Sequence, residues 1–246
     1  MQLLSVNQDA KTAKGAKLGF LTGVQYLAPS KESGVADVCP DATDGCKASC
    51  LYTSGRAAIH DAVNSARILR TITFVRDKPN YWPMLVKEIE SLIRKAKREN
   101  LTPCIRLNGT SDAPWERMRI KGTKYDGMTI LQAFKDVQFY DYTKTLDRIS
   151  FTDSIDNYHL TASYSENMTD DMLTLQLAME HNVAVVFRVC EHKAKCGCEL
   201  PTTWNGHTVF DGDKSDVRFQ DPLGVIVGLK AKGDARNDYS GFVVRI

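Results

Sequence analysis

The sequence has almost no net charge, because 32 lysine and arginine residues nearly cancel 30 aspartate and glutamate residues and leave +2. A chain without an excess of one sign has no overall field that attracts nucleic acid or an anionic membrane. Nucleic acid is therefore not indicated as a partner, and a polyanion would have to bind to a local group of residues.

Long hydrophobic runs are also missing. The longest, such as Val183–Phe187, fall far short of the roughly 20 residues that cross a bilayer, so we expect no membrane span. The amino-terminal segment MQLLSVNQDAKTAKG lacks the apolar core and the small-residue cleavage site of a secretory signal. We therefore expect the protein to stay in the cytoplasm in which it is made.

Linkers, repeats and low-complexity tracts are absent as well, and we interpret residues 1–246 as a single domain. What the sequence does contain is a series of apolar, β-branched or aromatic runs that predict strands. These runs are Lys17–Leu27, Pro103–Leu107, Val137–Tyr142, Tyr158–Ser163, Val183–Val189 and Gly224–Leu229.

Helical patterns fill most of the intervals between these strands. They cover Gly55–Arg76, Tyr81–Asn100, Met128–Lys135 and Asp170–His181. Alternation of strand and helix predicts a parallel sheet. We expect an α/β fold, a parallel βα partial TIM-like barrel of about six strands, although an open doubly wound sheet has the same linear rhythm.

Seven cysteines are the most informative residues. In a reducing cytoplasm they do not indicate a disulfide framework. Three of them, Cys39, Cys46 and Cys50, fall in the polar loop CPDATDGCKASC after the first predicted strand. Buried thiols without a ligand role are the alternative for any single cysteine, but three so close together among polar residues indicate a metal site.

A second group follows the fifth predicted strand and consists of Cys190, Cys196 and Cys198, with His192 between them. Because parallel strands end at the same edge of a sheet, we expect the two groups to converge on one metal centre. Cys104 stands apart and is interpreted as a core thiol.

The spacing of these cysteines bears on the metal. Zinc sites often contain two CxxC pairs, which neither group has, whereas iron–sulfur clusters accept more varied spacings. We therefore favour an iron–sulfur cluster of the four-iron type, with zinc as the alternative.

The order of strand, three-cysteine loop, helix and second strand resembles the radical S-adenosylmethionine enzymes. These are six-unit partial barrels in which a CxxxCxxC loop holds a four-iron cluster whose free iron binds the cofactor. Here six residues separate Cys39 from Cys46 and three separate Cys46 from Cys50, which departs from that pattern. The resemblance implies that Asn108, Gly109 and Thr110 contact S-adenosylmethionine.

A closer resemblance is to a family of bacteriophage proteins of the gene-product type. The matching segments are the cysteine loop with Tyr52, then Arg106–Asp112, Phe139–Lys144 and Ser165–Asn167. The resemblance implies a viral origin, and hence the host cytoplasm, and it carries no activity over.

Polar residues after the second, third and fourth predicted strands complete the candidate site. Arg106, Asp112 and Glu116 are suited to bind a small polar ligand, and Arg106 is a further cofactor-binding candidate. Lys144 and Glu166 form a lysine–carboxylate pair that can transfer protons. A helix cap near Asp112 and surface ion pairing are the alternative explanations.

These observations predict an iron–sulfur enzyme of the lyase or radical type. One iron of a four-iron cluster would face a small-molecule or nucleoside-type substrate, and Asp112, Glu116, Lys144 and Glu166 are the candidate catalytic residues. Two alternatives stay open: an electron-transfer cluster protein, and a zinc-stabilised module that binds nucleic acid or protein.

Overall fold

A ten-stranded mixed sheet forms the centre of the computed structural model, which describes residues 1–6, 10–53, 60–190 and 198–246. The strands are β1 Leu4–Val6, β2 Phe20–Gln25, β3 Thr102–Arg106, β4 Gln138–Thr143, β5 Tyr158–Ser163, β6 Val183–Arg188, β7 Thr203–Trp204, β8 His207–Asp211, β9 Ile226–Lys230 and β10 Val243–Arg245. The α-helices are α1 Ala10–Lys17, α2 Asp44–Ala48, α3 Asp61–Arg76, α4 Lys78–Glu99, α5 Ile130–Ala133, α6 Leu146–Thr152 and α7 Asp170–Ala178.

Six parallel strands lie side by side in the order β2, β3, β4, β5, β6 and β9. Helices occupy each connection from β2 to β6, and α6, which lies between β4 and β5, is not among the predicted helices. The six predicted strands coincide with these six, and the prediction of parallel pairing is confirmed for them. Their carboxyl ends lie along one edge of the sheet, which we call the rim.

The prediction of a six-stranded partial TIM-like barrel is wrong. Four further strands extend the sheet, and it is not closed: β1 pairs antiparallel with β2 at one end, and β7 pairs antiparallel with β8 at the other. Strand β10 pairs in parallel with the last part of β6. Strands of two or three residues, such as β1, β7 and β10, are too short to give a periodic signal in the sequence.

An aromatic cluster fixes the helices between β2 and β3 against the loop that follows β3. Helix α4 begins close to a proline and is capped at its carboxyl end by Asn100, whose φ of 53° is left-handed. Its buried Tyr81 and Trp82 pack with Phe74 of α3 and with Trp115 of the loop, with ring centroids 5.1 to 6.5 Å apart. The loop after β3 is therefore anchored to the hydrophobic core.

The helices of the described residues include none that is both long enough and apolar enough to cross a membrane. This agrees with the lack of long hydrophobic runs in the sequence.

Candidate functional site

The loops that follow β2 and β3 pack against each other at the rim. The N–H of Gly109 donates to the carbonyl of Gln25 at 3.0 Å, and the N–H of Asp112 donates to the carbonyl of Val38 at 2.8 Å. The thiol of Cys39 lies 3.8 Å from the carbonyl oxygen of Thr110. The cysteine loop therefore lies directly on the segment from 108 to 112.

Asn108 organises this second loop. Its side-chain oxygen accepts hydrogen bonds from Ser111 Oγ at 2.9 Å, from the Ala113 N–H at 2.9 Å and from Trp115 Nε1 at 3.0 Å. Its own N–H donates to Asp141 of β4 at 2.8 Å. These internal bonds occupy the Asn108 side chain, whose contact with a cofactor stays a prediction.

Asp141 is buried, and its burial changes the pKa of its carboxyl group. The carboxyl group is 1% exposed, and burial raises its pKa to about 7, opposed by the charge of Arg106 and by the Asn108 hydrogen bond. Asp141 thus supports the loop after β3 from inside the protein.

The three thiols of the cysteine loop lie near one another. Burial raises the pKa of Cys39 to about 12, and it also raises the pKa values of Cys46 and Cys50. The neighbouring thiols add to this effect, because Cys50 and Cys46 raise the pKa of Cys39, and Cys46 raises that of Cys50. Each pair of the three is therefore close enough to interact electrostatically.

A backbone N–H group is directed at one of these sulfurs. The N–H of Tyr52 donates to Cys50 Sγ at 3.5 Å. Such a bond stabilises a thiolate. The three sulfurs are of the ligand type that iron–sulfur clusters use, and their binding of a metal stays a prediction.

A short helix presents Cys46. Thr43 caps α2, since its side chain accepts a hydrogen bond from the Cys46 N–H at 3.2 Å. The carboxylate of Glu166, which follows β5, accepts from Thr43 Oγ1 at 2.8 Å and from the Gly45 N–H at 2.9 Å. Glu166 therefore orients the helix that carries Cys46.

Asp112 and Glu116 both pair with Arg148 of α6. Arg148 donates to the two oxygens of Glu116, with 2.9 Å for each bond, and also to Asp112 Oδ1. All three residues are at most 7% exposed. The Asp112 carboxylate also accepts from the Lys144 N–H at 2.8 Å, so this buried group connects the loops after β3 and β4.

Lys144 holds a positive charge at the end of β4. Its ammonium group donates to Ser163 Oγ at 2.8 Å, to the Ser163 carbonyl at 3.1 Å and to the Tyr164 carbonyl at 2.6 Å, and it lies 4.6 Å from the Phe242 ring centroid. Burial lowers the pKa of Lys144, while Cys46 and Glu166 raise it. Because three acceptors match its three N–H donors, the geometry favours the charged ammonium form over a nucleophilic amine.

Arg106 is directed into the interior of the fold. It forms an ion pair of 2.8 Å with Asp216, and its guanidinium lies over the rings of Tyr140 and Tyr142. Asp216 lies in the connection between β8 and β9. A role for Arg106 in binding a cofactor stays a prediction.

A cleft of about 440 Å³ opens beside the cysteine loop. The residues that line it include Pro40, Asp41, Thr43, Lys144, Ser163 and Asn167. Its wall thus combines the cysteine loop with the ends of β4 and β5. The dimensions and polar lining suit a small polar molecule.

The second cysteine group follows β6, but Cys196 and His192 lie outside the described residues. Cys190 comes shortly after β6, and the Cys198 carbonyl accepts a hydrogen bond from Lys230 at 2.9 Å. In the part of the chain that is described, no group of three or more His, Cys, Asp or Glu side chains is arranged to hold a metal ion. Convergence of the two cysteine groups stays a prediction.

Cys104 lies in β3, fully buried, with its sulfur 3.2 Å from Thr22 Oγ1. Its interpretation as a core thiol is confirmed. Sequence reasoning missed Arg148 and the capping residue Thr43. A sequence signal existed only for Thr43, which is a good helix cap and lies just before Asp44.

Comparison with known protein families gives a match over nearly the whole chain. The model of the family described as Gene product 88 matches residues 2–246. This agrees with the resemblance to bacteriophage proteins of the gene-product type. No curated protein and no solved structure is similar enough to this chain to count as a match.

Proposed function

This chain belongs to the Gene product 88 family, and we propose that it is an iron–sulfur protein whose Cys39, Cys46 and Cys50 hold a four-iron cluster beside a cleft for a small-molecule substrate. The observation that carries the proposal is that three thiols stand in one loop at the rim, with Cys39 against the Thr110 carbonyl and Cys46 on the helix that Glu166 holds. Three cysteines leave one iron of such a cluster without a cysteine ligand.

The described residues contain no ready-made metal site, so the proposed cluster requires the cysteine loop to rearrange when it binds. Metal sites commonly form together with their ligand rather than in advance. Thr43 and Glu166 would keep α2 in place during this change, because they bond to the start of the helix that carries Cys46.

Iron is favoured over zinc by the cysteine spacing, which lacks the CxxC pairs of common zinc sites. The reducing host cytoplasm, the compartment expected from the sequence, keeps thiols available for such a cluster. When bound, the cluster would supply a Lewis-acidic iron and one-electron chemistry.

The chain's own residues would bind and orient the substrate. Lys144 offers a fixed positive charge at the cleft wall, 2.8 Å from Ser163 Oγ, and this favours a substrate with a negative or strongly polar group. Asp112 and Glu116 act indirectly, because Arg148 occupies both carboxylates. We therefore assign them positioning roles, and we give Glu166 the same role for the cysteine loop.

S-adenosylmethionine is not required by this proposal. The Asn108 side chain, which the resemblance to radical S-adenosylmethionine enzymes points to, makes four internal hydrogen bonds. A titration of the cluster-loaded protein with S-adenosylmethionine, followed by electron paramagnetic resonance of the reduced cluster, would reveal binding at the open iron.

The proposal is tested by purifying the protein without oxygen and measuring iron, acid-labile sulfide and zinc. We expect a brown protein with iron, sulfide and broad absorption near about 400 nm, which is general for thiolate-bound clusters. A colourless protein with stoichiometric zinc would contradict the proposal and support the zinc-stabilised binding module.

A further inference from the structure

Ser165 places a buried hydroxyl at the wall of the cleft beside the cysteine loop. The residue is 8% exposed and lines the cleft, yet its hydroxyl makes no hydrogen bond to any described residue. A buried hydroxyl in this state is unfavourable unless a molecule in the cleft completes its hydrogen bonds. Ser165 therefore marks a point at which the cleft is built to contact its occupant.

Two further polar side chains of the same segment line the cleft. The amide group of Asn167 is exposed and makes no hydrogen bond within the part of the chain that the structure describes. Ser163 Oγ accepts from Lys144 at 2.8 Å, and its own O–H has no acceptor in that part. The end of β5 thus offers several donors and acceptors to a bound molecule.

The charged groups of the cleft differ in what they still offer. The three N–H donors of Lys144 are occupied by Ser163 and Tyr164. Asp41 accepts from the hydroxyl of Thr145 with one carboxylate oxygen, and its other oxygen has no partner among the described residues. The described wall therefore presents an open carboxylate oxygen but no unoccupied N–H of a cation.

This combination selects the chemical class of the occupant. A negative group cannot donate to Asp41 and is repelled by it, whereas an ammonium group cannot accept from the serine hydroxyls. A hydroxyl group both donates and accepts, so it satisfies both sides of the wall. Leu146, Met168 and Met172 supply an apolar surface beside these groups, which suits the carbon skeleton of a ring.

We propose that the cleft binds two neighbouring hydroxyls of a sugar ring, with Asp41 as acceptor and with Ser165 and Asn167 as further hydrogen-bond partners. This inference rests on the proposed function, because it names the substrate class of the same cleft. The ring belongs either to a free sugar or to a nucleoside, and a volume of about 440 Å³ admits both.

The test is calorimetric titration of the full chain, purified without oxygen, with D-ribose, D-glucose, adenosine and dideoxyadenosine that lacks both ribose hydroxyls. We expect adenosine to bind about 10- to 100-fold more tightly than the dideoxy compound, the effect of losing hydrogen bonds to a charged acceptor. Binding of the two sugars as well would identify a free sugar as sufficient, and binding of adenosine alone would identify a nucleoside. Equal affinity for the two nucleosides, displacement of adenosine by inorganic phosphate, or no binding of any of these compounds would overturn the inference.

Two variants locate the binding to the cleft. Asp41→Asn removes the charge of the acceptor and should weaken binding about 10-fold, and Ser165→Ala should weaken it about 2- to 10-fold. Because the Ser165 hydroxyl has no partner among the described residues, S165A should keep the thermal stability of the wild type, which separates a binding role from a structural one. Asp156→Asn is the matched control, since this exposed aspartate precedes β5 and lies at the end of the strand away from the cleft. Affinities of D41N and S165A equal to that of D156N would also overturn the inference.

Iron analysis of the same preparation separates this inference from the cluster proposal. A wild type that holds iron and binds none of the hydroxyl compounds would overturn the inference alone. A wild type without iron that binds them at the cleft would contradict the cluster and leave the sugar site standing.

Discussion

The carboxylate of Glu166 accepts a hydrogen bond from the backbone N–H of Gly45, with 2.9 Å between the two atoms. This bond joins the end of β5 to the helix that carries Cys46. The contact is tight, because a Cβ atom added at Gly45 would lie 2.7 Å from Phe242 Cβ and 2.9 Å from the Glu166 carboxylate. The position of Cys46 is thus fixed from two sides.

Removal of the Glu166 carboxylate should loosen the cysteine loop. Glu166→Ala leaves Thr43 Oγ1 and the Gly45 N–H without their acceptor, and we expect a loss of about 1–3 kcal/mol in the free energy of unfolding. Glu166→Gln keeps one acceptor oxygen and should lose less. Glu99→Gln, at the exposed end of α4, is the control, and urea denaturation measures all three variants. Equal stability of E166A and E99Q would contradict this account of Glu166.

The buried group around Arg148 should be the most sensitive to truncation. Arg148→Met leaves Asp112 and Glu116 buried without their cation, which costs about 3–5 kcal/mol when a buried pair loses one partner. Lys95→Met is the comparison, because Lys95 pairs with Glu99 only at 3.9 Å on the surface and should change stability by less than about 1 kcal/mol. Thermal and urea unfolding measure the stability of the two variants. Similar losses in the free energy of unfolding would mean that the bonds of Arg148 contribute little to stability.

Gly109 lies where a side chain does not fit. A Cβ atom there would approach the carbonyl oxygen of Gln25 to 2.6 Å, and that oxygen accepts the Gly109 N–H. We expect Gly109→Ala to destabilise the protein by about 1–3 kcal/mol, the usual cost of overpacking. Gly15→Ala in α1 serves as the control, since its nearest contact is an ordinary 3.4 Å. A G109A protein as stable as G15A would contradict this prediction. It would show that the backbone of β2 at Gln25 shifts at little cost to make room for the added methyl group.

Asp141 should make stability depend on pH. Its folded-state pKa of about 7 lies above the ordinary value of 3.8, chiefly because of burial, so the folded protein holds this proton more tightly than the unfolded chain. The free energy of unfolding should therefore fall as pH rises from about 4 to about 7, and then level off. Asp141→Asn removes this contribution. The free energy of unfolding of the wild type should therefore decrease relative to that of D141N as pH rises across that window. Parallel pH profiles of the two proteins would refute the assignment.

Much of the sheet was predictable because buried strands leave long apolar runs. The run Tyr158–Ser163 coincides with β5, and Val183–Val189 differs from β6 by one residue. The open shape of the sheet was not predictable, since it depends on the edge strands. Strand β1 contains three residues and pairs with β2 through backbone bonds, which leave no side-chain pattern.

The location of the candidate site was predictable from the sequence, but the hydrogen bonds and ion pairs between its side chains were not. Parallel topology places polar loops at the rim, and Cys39, Thr110 and Lys144 do lie there. The partners of Asp112 and Arg106 were not predictable, because Arg148 and Asp216 lie 36 and 110 residues away in the sequence. Pairings over such distances follow from the tertiary fold, which a single sequence does not specify by periodicity.

The most direct test measures iron and acid-labile sulfide per chain in protein prepared without oxygen, for the wild type beside Cys39→Ala, Cys46→Ala, Cys50→Ala and Cys104→Ala. We expect about four iron atoms per chain in the wild type, as in a four-iron cluster. Each change in the cysteine loop should abolish this content, and Cys104→Ala should keep it, because Cys104 is a core thiol beside Thr22. A wild type without iron and sulfide, or loop variants that retain as much of both as C104A, would contradict the account.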